Sequence, residues 1–174
     1  NLELVKSEKL GRAKRIDDAG GRYIEYLKSR MSSALRLDGL KIVIDCANGA
    51  AYKVGPTILW ELGAEVIPIN VNPDGTNVNK NSGSTNTKKL VAMVKKSKSD
   101  LGIALDGDAD RCILVDEKGN LINGDLILGI IATSWKKKNI LKNNSVVGTS
   151  MSNSGLEEYF RKINIKFIRT DVGD

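Results

Sequence analysis

Leu101-Gly-Ile-Ala-Leu-Asp-Gly-Asp-Ala-Asp-Arg111 is the stretch that decides how this chain is read. Its first five residues are a short apolar run, the pattern of a buried strand. Three carboxylates follow within five residues, Asp106, Asp108 and Asp110, spaced by Gly107 and Ala109. Like charges this close repel one another unless a cation neutralises them. The spacers are the two smallest residues, so the backbone can bend and bring all three side chains to one point. Oxygen ligands of this kind suit a hard divalent ion. Arg111 comes next. Beside a metal centre its guanidinium suits an approaching phosphate; the alternative reading is a salt bridge to one of the aspartates.

Three other readings of the loop compete. With Glu117 at the twelfth position it mimics an EF-hand, but position six is Arg111 where that loop needs glycine, and both flanks are strand-like where it needs helices. An aspartyl-phosphatase strand also ends in Asp-x-Asp, with the first Asp as nucleophile. That pattern usually carries Thr or Val where Asp110 stands. Lastly, the acids could simply solvate a strand end.

Working outward, apolar spacing predicts a helix over 17–31, with Ala19, Tyr23, Leu27 and Met31 on one face. Residues 40–45 read as a buried strand, 46–50 as a turn containing Asn48-Gly49, 54–62 as a helix and 64–69 as a second strand. A polar loop rich in turn formers covers 70–86; loops this long are more often functional than idle. A helix over 87–98 leads to the strand 101–105. Residues 112–115 and 121–122 flank a hairpin turn, and 124–138 form another helix. Beyond a linker at 138–144 come a strand (145–149), a helix (154–163) and a strand (165–169). This alternation predicts an α/β fold: a mixed, mainly parallel sheet with helices on both faces, plus the start of a similar domain. The expected organisation is a linker over 1–17, a metal-binding domain over 18–142 and a truncated further domain over 143–174.

The 174 residues, 41% hydrophobic and 28% charged, fit a globular chain with a real core. No apolar run nears the roughly 20 residues of a membrane span. The chain begins with Asn1 and carries no signal peptide, so a piece of a longer protein is expected. Two cysteines, Cys46 and Cys112, and no histidine leave little room for a zinc site and none for a Ser-His-Asp triad. They fit a reducing cytoplasm. The net charge of +6 comes with lysine clusters that sit on helices without interleaved aromatics. That is the pattern of a solvated face, and argues against a nucleic-acid partner.

The aspartate loop, as Leu105-Asp-Gly-Asp-Ala-Asp-Arg111, resembles the metal-binding loop of the α-D-phosphohexomutase superfamily. The likeness extends along nearly the whole chain. Residues 11–25 resemble the helix joining the first and second domains of that family. Residues 41–50, 61–66 and 73–77 resemble its second domain, and 147–156 the start of its third. Cys46-Ala-Asn-Gly-Ala50 and the terminal Val172-Gly-Asp174 resemble the branch acting on glucosamine phosphates. Relatives acting on glucose or mannose phosphates more often carry Val-Gly-His at that end. One departure is Ser82, where that branch commonly has Cys.

The resemblance implies an isomerase. A phosphoserine in the first domain donates its phosphoryl group to the sugar 6-phosphate. The bisphosphate intermediate reorients, then returns its other phosphoryl group to the serine. On this reading Asp106, Asp108 and Asp110 hold Mg²⁺, Arg111 contacts phosphate or substrate, and Asp174 lies near the sugar. A phosphoserine loop of the Ser-His-Asn-Pro kind is missing, so these residues alone are expected to be inactive. The expected partners are a hexosamine phosphate and the other domains of the same chain, with dimerisation through the first domain. A stand-alone metal- or phosphate-binding module is the alternative from another class.

Overall fold

The computed structural model describes residues 4–6, 9–32 and 35–173. The chain divides into two compact units, one up to Leu35 and one from Arg36 onward.

The first unit holds helix α1 (Ala19–Ser29). Its ion pairs Arg22–Asp18 and Lys28–Glu25 are of the exposed kind that contribute little. The buried residue is Ile24, while Tyr23 is half exposed. The apolar stripe therefore runs through Ile24, Leu27 and Met31 rather than Ala19 and Tyr23. A strict four-residue spacing drifts around a helix of 3.6 residues per turn, whereas steps of three and four stay on one face.

The second unit is built on a five-stranded sheet. Its strands are β1 (Lys41–Asp45), β2 (Glu65–Ile69), β3 (Leu101–Leu105), β4 (Cys112–Asp116) and β5 (Leu121–Ile122). They lie in the order β2-β1-β3-β4-β5. β1 pairs in parallel with both β2 and β3, while β4 and β5 complete the sheet antiparallel. Helix α2 (Val54–Glu61) connects β1 to β2, and α3 (Lys88–Ser97) connects β2 to β3. The faces alternate along each strand, as the pleat requires. Val43, Ala104 and Val115 meet Leu90 and Val94 of α3 on one side. Ile44 and Cys46 pack with Ala51 and, from α2, Val54 and Leu59 on the other.

This order carries a functional consequence. The chain leaves β1 toward β2 and returns across it to β3, so the crossovers part between β1 and β3. In open α/β sheets, crevices for ligands form outside the carboxyl ends of the strands at such a switch point. Asp45 ends β1, and Asp106 follows the last residue of β3.

Further along lie α4 (Gly124–Lys137), β6 (Ser145–Thr149), α5 (Ser154–Lys162) and β7 (Lys166–Thr170). β6 and β7 form a separate parallel pair. Ala132 of α4 joins Val146, Leu156, Phe160 and Ile165 in one buried cluster. Lys136 of α4 also caps α5, donating to the carbonyls of Ile163 and Asn164. Helix α4 is thus held by the C-terminal elements. No described helix is long and apolar enough to cross a membrane.

Candidate metal centre

The carboxylates of Asp106, Asp108 and Asp110 converge, with one oxygen of each lying within 4.8 Å of the others. The loop achieves this in one turn. The Ala109 N–H donates to the Asp106 carbonyl at 3.2 Å, and Ala109 itself adopts φ 63°, a left-handed conformation. The turn reverses the chain from β3 into the antiparallel β4.

The three acids are not equivalent. Asp106 is fully buried, whereas Asp108 and Asp110 are exposed. Burial works against the Asp106 charge. Hydrogen bonds to the Arg111 backbone N–H and guanidinium, and to Asp108 and Asp110, outweigh it and bring its carboxyl down to about 2. The Arg111 N–H donates to Oδ1 at 2.9 Å, and Nε donates to Oδ2 at 2.9 Å. Asp110 moves the other way. Its hydrogen bond with Asp106, then desolvation and the neighbouring negative charges, raise its pKa against the pull of Arg111. One carboxylate is held ionised while its neighbour resists ionisation, which is the imbalance a divalent cation would relieve.

The donor set fits a hard cation. All three ligands are carboxylate oxygens, and an octahedral Mg²⁺ shell has oxygens at about 2.1 Å from the ion. The 4.8 Å spread must close onto such a shell, and the two exposed side chains are the ones free to move. The buried Asp106 is fixed, so the other two can adapt around it. Arg111 sits beside the triad with its side chain 64% exposed; Nη2 lies 2.9 Å from Asp106 Oδ2 and Nε 3.6 Å from Asp110 Oδ1. The structure therefore shows the ion pair, with part of the guanidinium open to solvent. Asp174 lies outside the described residues.

Two neighbouring segments brace the loop. The turn after β1 reaches it through the Ala50 N–H, which donates to the Gly107 carbonyl at 2.7 Å. A Cβ added at Gly49 would overlap that same carbonyl. The polar loop over 70–86 packs from another side. Gly83 (φ 69°) lies so close to the Leu105 carbonyl that a Cβ would collide with it. Val78 and Asn79 occupy the space beside the Gly107 α-carbon.

Asp45 is the site residue that sequence reasoning missed. It is fully buried and accepts three hydrogen bonds. They come from the Ala47 N–H (2.9 Å), Asn70 Nδ2 (2.9 Å) and the Gly83 N–H (3.0 Å). The one available signal was an acid closing an apolar strand just before a turn.

Two family profiles match the chain. The profile for phosphoglucomutase/phosphomannomutase, alpha/beta/alpha domain II, matches residues 21–119, and that for domain III matches residues 123–174. A phosphoglucosamine mutase from Paramagnetospirillum magneticum is 58% identical over 170 residues, covering 98% of this chain and 38% of that protein. A second from Zymomonas mobilis is 58% identical over 165 residues, covering 95% and 37%. The chain thus spans under two-fifths of the length of these relatives. A crystal structure of a phosphoglucomutase/phosphomannomutase family protein from Burkholderia thailandensis superposes with a TM-score of 0.73 at 22% identity. It covers 88% of this chain and 33% of that one, a likeness of fold.

Proposed function

The chain belongs to the phosphoglucomutase/phosphomannomutase family, and on that premise we propose that it is the metal-binding middle of a phosphoglucosamine mutase. The reaction is the interconversion of glucosamine 6-phosphate and glucosamine 1-phosphate through a phosphoserine and a bisphosphate intermediate. The observation that carries the reading is the 58% identity to phosphoglucosamine mutases along 98% of the chain, with the aspartate triad gathered at the switch point of the sheet.

Phosphoryl transfer depends mainly on positioning and on neutralising charge. Mg²⁺ held by Asp106, Asp108 and Asp110 would supply that positive charge to an oxygen of the phosphoserine. Asp106 is the buried, fixed member of the set. Asp108 and Asp110 are the adaptable members. Arg111 is oriented by its bonds to Asp106 before any phosphate arrives, so little of its side-chain freedom remains to be lost on binding. Its exposed face is placed to contact a phosphoryl group. The serine, the sugar-reading loop and a second phosphate site belong to other parts of the complete protein, and Asp174 leads toward them. The packing of α4 against α5 favours a domain boundary ahead of Gly124, earlier than the boundary after residue 142 expected from the sequence. A cytoplasmic location and a homodimer built through the first domain complete the proposal.

The test is kcat/KM of the complete protein, phosphorylated on its serine, for glucosamine 6-phosphate against glucose 6-phosphate and mannose 6-phosphate. A strong preference for the amino sugar is expected. Preference for a neutral hexose would move the chain to the phosphoglucomutase or phosphomannomutase branch. No turnover of any hexose phosphate would leave a non-catalytic metal-binding module. In the same protein, Asp108→Asn is expected to weaken Mg²⁺ binding and cut turnover about 100-fold or more, the scale of losing one charge-stabilising group. Unchanged activity at limiting Mg²⁺ would remove the triad from the mechanism.

A further inference from the structure

The buried carboxylate of Asp45 touches none of the three loop aspartates, yet its bonds converge on the segment that carries them. Asp45 closes β1, in register with Ile69 of β2 and Ala104 of β3. Oδ1 accepts from the Ala47 N–H, and Oδ2 accepts from Asn70 Nδ2 and the Gly83 N–H. Two of these partners begin paths to the metal loop. From Ala47 the chain runs through the turn to Ala50, whose N–H donates to the Gly107 carbonyl at 2.7 Å. From Gly83 the path is direct. Its α-carbon lies against the Leu105 carbonyl, and a Cβ there would come within 2.6 Å of the Ala47 Cβ. Leu105 and Gly107 flank Asp106. One carboxylate therefore ties down both segments that bracket the buried ligand.

We infer that Asp45 is a positioning residue for the metal loop, holding the 46–50 turn and the Ser82–Gly83 corner against Leu105–Gly107 so that Asp106 stays in place for the ion. The inference rests on the proposal that the triad binds a divalent metal.

All three partners are N–H donors, and only a carboxylate offers acceptors on both oxygens. In Asp45→Asn the side chain keeps its shape but turns an NH₂ toward at least one N–H, leaving donors facing each other in a buried site. One brace would be released without any change in volume. Groups that orient metal ligands from one step away typically alter metal affinity by about 10- to 100-fold when removed.

The test titrates Mn²⁺, an octahedral oxygen-seeking probe, into the complete protein and reads free Mn²⁺ by electron paramagnetic resonance. Hydrogen exchange of the Ala50 amide is followed alongside by NMR. Wild type, D108N, D45N and F160A are compared. Phe160 lies in the separate C-terminal cluster, so F160A lowers stability without touching the site. The expected result is Mn²⁺ affinity about tenfold or more weaker in D45N, faster Ala50 exchange in D45N, and neither change in F160A. A wild-type chain that binds no Mn²⁺, or a D108N variant that binds as well as wild type, overturns the metal reading. Ala50 exchange then decides the inference independently, since its acceptor belongs to the loop itself. Wild-type affinity in D45N beside lost affinity in D108N, or unchanged Ala50 exchange in D45N, overturns the positioning role. Equal affinity losses in D45N and F160A would reduce Asp45 to a general stabiliser and also overturn it. Should D45N fail to fold, N70G takes its place. Asn70 has φ 51°, which glycine adopts freely, so N70G removes a single donor. A smaller loss of affinity in the same direction is expected there, and none would overturn the inference.

Discussion

A buried hydroxyl without a partner is a local weakness, and this chain carries two beside its candidate site. The Oγ atoms of Ser82 and Ser84 are buried without a hydrogen-bond partner among the described residues. Leaving such a group unpaired costs about 1–3 kcal/mol. Ser82 is fully buried and precedes Gly83, which donates to Asp45. A thiol desolvates more easily than a hydroxyl and packs as a small hydrophobe. Ser82→Cys, which installs the residue that the glucosamine branch commonly carries, is therefore expected to stabilise the fold by about 1 kcal/mol. A urea unfolding midpoint that falls in the variant would show that the hydroxyl has a use. At the same scale, Asp106 and Arg111 were both legible as candidate site residues because they share one short loop. Their unequal roles were not. The burial that singles out Asp106 comes from segments remote in sequence.

Among the elements, the turn between β1 and α2 matters beyond its length. Gly49 has no room for a side chain, because the obstacle is the backbone carbonyl of Gly107 and cannot rotate away. Gly49→Ala must displace one of the two turns. Overpacking of this kind costs about 1–3 kcal/mol, and the hydrogen bond from Ala50 to Gly107 (2.7 Å) would be strained with it. Both a lower unfolding midpoint and weaker Mn²⁺ binding are expected in this variant. Full metal affinity in Gly49→Ala would show that the loop holds its shape without this contact. The sequence marked Asn48-Gly49 as a turn, since Asn and Gly both accept the left-handed region. That the glycine is also required by a loop nearly sixty residues on lay outside any local pattern. Helix α4 makes a related point. The sequence placed it over 124–138, close to its observed limits, and the structure adds that the Asn123 side chain caps it by accepting from the Leu126 N–H. Which core it joins was not, because an amphipathic helix between two strands can pack on either neighbour.

In the molecule as a whole, the buried clusters on the five-stranded sheet share no residue with the cluster formed by α4, β6, α5 and β7. Sites without shared partners perturb stability independently. Phe160 is fully buried at the centre of the C-terminal cluster, so Phe160→Ala should cost about 3–5 kcal/mol there. Calorimetry is expected to show the transition of the C-terminal elements shifted down, with the Ala50 amide protected as before. Loss of that protection would mean that the two regions unfold as one.

The amino-acid sequence by itself determined the elements and singled out the aspartate loop as the candidate metal site. Strands and helices are written in periods of two and 3.6 residues, and the triad is complete within five positions, so short-range spacing was enough. The tertiary structure alone decided what makes the loop a rigid site. Asp45 and the Gly83 N–H that it binds are 38 positions apart, and Gly49 meets Gly107 across a still longer gap. Such contacts follow from the crossover that sets β1 beside β3. Only when those two strand ends lie side by side do a buried acid and two glycines become parts of one centre.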